Sequence, residues 1–64
     1  MRTFELVVED DRNPNPAILS VMVADEGRAR EHARMQLALS RHHRCVHVQE
    51  MRRRLFSLRR EELA

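Results

Sequence analysis

Three observations predict an α+β domain with one helix laid on one face of an antiparallel-rich sheet. Thr3–Glu9 alternates apolar with polar residues, the period of a half-buried strand. A capped, alanine-spaced helical pattern runs from Asp25 to about Ser40, and a second alternating stretch, Arg44–Glu50, follows it. In chain order the elements read ββαβ, extended to ββαββ by an apolar tail, and layer packing places the helix on one sheet face.

In the first strand Phe4, Leu6 and Val8 share the apolar face, and Thr3, Glu5, Val7 and Glu9 the other. Asp10–Pro16 (DDRNPNP) is turn chemistry: each proline biases the asparagine before it away from helix, and Asp and Asn side chains satisfy local backbone groups. Ala17–Ala24 (AILSVMVA) is a strand apolar on both sides, with Ile18 and Met22 on one and Leu19, Val21 and Val23 on the other. Such strands are normally covered twice. Asp25 suits a helix N-cap and Glu26 the positive end of the helix. Ala29, Ala33 and Leu37 form the buried stripe, widened by Met35 and Leu39, with His32 on the buried arc. Arg30, Arg34 and Arg41 fall on the opposite side, and Arg41, His42 and His43 lie where cations favour a helix C-terminus.

In the third strand Val46 and Val48 point inward and Cys45, His47 and Gln49 outward. For the tail the alternation of Phe56 and Leu58 favours a fourth strand, Arg54–Leu58, hairpinned through Met51–Arg53, although that turn lacks Gly and Asn. The alternative is ββαβα, with helix over Gln49–Leu63. A strand–helix–strand step between parallel neighbours is right-handed.

The stretch VADEGRAREHARMQLALSRHHRCVHVQEMRRRLFSL, from about Val23 to Leu58, resembles small bacterial proteins of unknown function. In them a strand pair precedes an Asp-initiated, Ala-spaced helix, a short strand, a charged turn and an apolar final strand. Asp25, Ala29, Ala33, Val46, Val48 and Phe56 carry the likeness. The resemblance implies the helix-on-sheet fold and the final strand, and no activity. Met51-Arg52-Arg53-Arg54 stands where those proteins usually have a Gly-containing turn.

The 64 residues make one small domain, 1–64, and a chain this short is marginally stable without a disulfide, a metal or a partner chain. Cys45 is its one cysteine, so no internal disulfide forms. The start shows no signal-peptide pattern and no apolar run approaches a membrane span, so a cytoplasmic protein with no membrane partner is expected. Charge is sorted along the chain: residues 1–27 hold six acids and two arginines, residues 28–64 ten arginines and four glutamates. Every basic residue apart from histidine is arginine, a planar fork suited to phosphate, carboxylate and interface pairing. Such all-arginine usage also fits coding from a GC-rich genome.

No catalytic constellation emerges. Gly27 is the single glycine, which excludes a P-loop or dinucleotide fingerprint, and Cys45 with its histidines has no Gly-rich oxyanion turn beside it. The expectation is a non-enzyme without cofactors. His43, Cys45 and His47 are weak metal candidates whose spacing matches no standard zinc pattern. The leading expectation is a non-catalytic interaction or accessory domain acting as a homodimer, with another protein a further partner. Leu19, Val21 and Val23, or Ile18 and Met22, line its interface. The alternative is a nucleic-acid-binding regulator using Arg30, Arg34, Arg41, Arg52, Arg53 and Arg54. Against it stand the absence of Tyr and Trp and the acidic first segment.

Overall fold

Phe4, Leu6 and Val8 all turn inward from β1 (Arg2–Asp10), and this apolar row organises the fold. The computed structural model describes residues 1–63; Ala64, the last residue of the 1–64 domain, lies outside the described residues. After β1 come β2 (Asn13–Val23), α1 (Glu26–Leu39), β3 (His43–Glu50), β4 (Arg53–Arg59) and one helical turn, α2 (Arg60–Leu63). The four strands form one sheet in the order β2-β1-β3-β4, and every neighbouring pair is antiparallel. The fold is ββαββ; helix in the tail is confined to α2 and does not extend over Gln49–Leu63. Because β1 lies between β2 and β3, the strands joined through α1 are not neighbours.

The core lies between α1 and one sheet face. Phe4, Leu6 and Val8 meet Val46 and Val48 from β3 and Leu58 from β4, under Ala29, Ala33 and Leu37 of the helix. Alanines on the contact stripe let the helix axis approach the sheet closely, which narrows the stripe to an arc of about 80°. His32, Met35 and Leu39 therefore stand on the flank and are exposed, not buried as the wider stripe implied. Asp25 caps α1 as expected: its backbone is extended (φ −158°) and its Oδ1 accepts a 3.0 Å hydrogen bond from the Arg28 N–H.

The first turn departs from expectation and the hairpin forms as expected, one residue shorter. Of the DDRNPNP stretch only Asp11 and Arg12 turn, and Asn13–Pro16 is already β2. Proline is tolerated there because β2 is an edge strand, and the register between Val8 and Asp10 is irregular where the prolines lie. The β3–β4 hairpin closes through Met51 (φ 51°) and Arg52 (φ 65°), the positive-φ pair that a type I′ turn requires, here without Gly or Asn.

Pairing also decides which side of β2 meets the core. Phe4 lies opposite Val21, Leu6 opposite Leu19 and Arg2 opposite Val23, so Leu19, Val21 and Val23 share the helix-covered face. Ile18 and Met22 stand on the uncovered face, 60% and 67% exposed.

Candidate functional site

The uncovered face carries a polar cluster across three strands. Glu9 lies directly opposite Cys45, and His47, two residues further along β3, lies opposite Ser57. The period of two sends all four side chains to the same face. His47 Nε2 is 2.9 Å from Glu9 Oε2, and its Nδ1 is 2.6 Å from Ser57 Oγ. Cys45 Sγ sits 3.7 Å from His47 Nε2. Cys45 is only 1% exposed and His47 7%, while Glu9 stays open to solvent. Donor atoms of Glu9, Cys45 and His47 all lie within 4.8 Å of one another.

His43, grouped with Cys45 and His47 on spacing alone, is elsewhere. The β1–β3 register pairs Glu9 with Cys45 but Asp10 with His43, a bulge that shifts His43 to the helix side. There its Nδ1 meets the carbonyl oxygen of Gln36, and its Nε2 lies 3.7 Å from Asp10. Glu9 takes the place that spacing assigned to His43. Its part was hidden because it comes from β1, 36 positions before Cys45 in the sequence.

The two sheet edges differ in kind. β4 displays Arg53, Arg54 and Arg59. β2 carries no charged residue in its eleven positions and exposes Ile18, Leu19 and Met22. Proteins usually blunt sheet edges with charge, short strands or proline. In β2 only Pro14 and Pro16 do so, and Ala17–Val23 is left unguarded. A shallow depression lined by Glu9, Asp10, Asn13, Pro14 and Pro16 lies at the proline end.

The structure divides the arginines singled out in the sequence. Arg30 stacks over the Phe56 ring at 4.3 Å, which turns the flank carrying Arg30 and Arg34 towards β4. Arg52, Arg53 and Arg54 lie at the hairpin on that side of the sheet, near the start of α1. Arg41 does not join them: α1 ends at Leu39, leaving Arg41 in the turn at the far end of a helix about 21 Å long. Arg60 belongs to the fold rather than to an anion surface, because its guanidinium donates to the carbonyl oxygens of Leu37, Ser40 and His43.

Much of the charge sorted along the chain is paired within one copy. The Arg2 guanidinium grips Glu50 through two hydrogen bonds of 2.7 and 2.9 Å and lowers its carboxyl pKa. Hydrogen bonds from the Arg12 side chain and backbone N–H hold Asp10 well below the usual carboxylate range. Asp11 meets His42 at 2.9 Å.

No protein-family model, curated protein or solved structure matches the chain. Among the described residues no helix is long and apolar enough to cross a membrane.

Proposed function

We propose that this is a non-catalytic cytoplasmic interaction domain that works as a homodimer, joined through β2. The observation that carries the reading is the contrast between the edges: β4 is guarded by arginines, whereas Ala17–Val23 is uncharged and apolar on both sides. A second copy is the occupant that suits such an edge. Two uncharged strands pair about a two-fold axis with no like charges opposed, and the two sheets merge into one of eight strands. Centred on Ser20, antiparallel pairing sets Ile18 against Met22 and Leu19 against Val21 of the second copy. The small core supports the same reading, since added apolar burial is what a domain of this length lacks.

Light scattering behind size-exclusion chromatography tests this. The parent chain is expected at twice its 7.6 kDa mass, and an Ile18→Lys/Met22→Lys variant at the monomer mass with unchanged circular dichroism. A monomeric parent, or a variant that remains dimeric, would overturn it.

A second reading is favoured by the exposed arginines around the β4 edge, Arg30 over the Phe56 ring and Arg52–Arg54 at the hairpin: a nucleic-acid-binding regulator held by phosphate contacts. It expects duplex DNA or single-stranded RNA to bind with steep salt dependence, and Arg30→Glu/Arg34→Glu to weaken binding across sequences. Binding confined to the lowest salt removes this reading and leaves the first intact.

A further inference from the structure

We propose that Glu9, Cys45 and His47 form a binding site for a zinc-class transition-metal ion on the uncovered sheet face. Three donors of suitable chemistry converge there: a thiolate sulfur, an imidazole nitrogen and a carboxylate oxygen. This set selects borderline ions such as Zn²⁺ and Co²⁺ and disfavours Mg²⁺ and Ca²⁺, which take oxygen ligands. Spacing also fits. With zinc bond lengths of about 2.0–2.3 Å, tetrahedral neighbours lie about 3.3 Å apart for nitrogen and oxygen and about 3.6 Å for nitrogen and sulfur. His47 Nε2 is 2.9 Å from Glu9 Oε2 and 3.7 Å from Cys45 Sγ, so small side-chain rotations bring all three onto one ion.

The surroundings prepare the site. The ligands stand on two adjacent strands, Glu9 paired with Cys45, so the ladder holds their backbones in register. His47 Nδ1 lies 2.6 Å from Ser57 Oγ; with Nε2 bound to the ion the neutral ring carries its proton on Nδ1 and donates it there, the outer hydrogen bond that fixes tautomer and ring plane in metal-bound histidines. The ion takes the place between His47 Nε2 and Glu9 Oε2, and Cys45 binds as the thiolate, its proton passing to solvent. A fourth position faces solvent beside the half-open Glu9 and takes water or an exchangeable anion, as in sites with three protein ligands. Such a clip between β1 and β3 also supplies a staple that a domain this small can use.

Titration of the purified chain with Co²⁺ tests the site. The expected result is one ion per chain, with a sulfur-to-cobalt charge-transfer band and tetrahedral visible bands, both displaced by one equivalent of Zn²⁺. Cys45→Ser removes the charge-transfer band, and Glu9→Gln and His47→Gln weaken binding by more than about a hundredfold, beyond the usual effect of losing an outer-shell partner. Ser57→Ala, which touches no ion directly, weakens it about ten- to a hundredfold. His43→Asn leaves titration unchanged, since His43 faces the helix. Circular dichroism of each variant without metal verifies the fold. Absence of a thiolate band in the folded parent overturns the proposal. So does a band that survives Glu9→Gln and His47→Gln unchanged, which would mark binding by the cysteine without the site.

Discussion

Arg60 shows how one side chain completes an element to which it does not belong. The last carbonyls of α1 have no helical partner, and its last turn contains no basic residue. Arg60, arriving from beyond β4, donates to Leu37, Ser40 and His43 and supplies the cation that the helix end favours. Arg60→Met keeps the stem and removes the donors, so urea unfolding should find it about 2 kcal/mol less stable. Two carboxylates set the acid response. Asp10 and Glu50 are held by their arginines below their ordinary values of 3.8 and 4.5, so each binds a proton less readily folded than unfolded. The stability they contribute is complete above those values and is lost as pH falls through them towards the lowered ones. Both pairs are exposed and solvent-screened, so the effect is modest. The Asp10→Asn/Glu50→Gln variant should show a shallower loss of melting temperature below about pH 4.5 than the parent.

Among the elements, the β3–β4 hairpin is the one whose sequence opposes its geometry. Met51 and Arg52 both adopt positive φ, which costs a non-glycine residue about 1–2 kcal/mol. The hairpin forms nonetheless because β4 buries Leu58 and packs Leu55 and Phe56 against the core. Burial outweighs turn preference here. Met51→Asn/Arg52→Gly gives the turn the residues it favours and should raise stability by about 1 kcal/mol in chemical denaturation. If the pair unfolded no later than the parent, the turn would be under less strain than its backbone angles imply. Phe4 sits at the opposite extreme, fully buried at the middle of the core, and Phe4→Ala should cost about 3–5 kcal/mol in the same measurement.

At the scale of the molecule, β1 at the centre of the sheet explains how sorted charge becomes mixed charge. The acidic strand enters between β2 and the histidine-bearing β3, so Glu9 and Asp10 meet His47 and His43 within one copy. Attraction between acidic and basic halves of different copies is therefore reduced, and the dimer proposed above rests on the uncharged β2 edge instead. An apolar edge joint makes folding and pairing one equilibrium. The melting temperature of the parent should rise with protein concentration, and that of Ile18→Lys/Met22→Lys should not. A parent melting curve independent of concentration over a hundredfold range would speak against the joint.

Period alone determined much of this fold. The alternation of Phe4, Leu6 and Val8, the four-residue spacing of Ala29, Ala33 and Leu37, and the Asp25 cap are local signals that survive into the structure because tertiary packing uses the faces they define. The order ββαββ follows from them. Register was not legible. The bulge that carries His43 to the helix side, the pairing that brings Glu9 to Cys45 and the reach of Arg60 to the end of α1 all join residues distant in sequence. A strand's period states which residues share a face but not which strand lies alongside or where a bulge reverses the faces. Only the assembled sheet decided that Glu9 completes the Cys45–His47 pair and that β2 and β4 form the two edges.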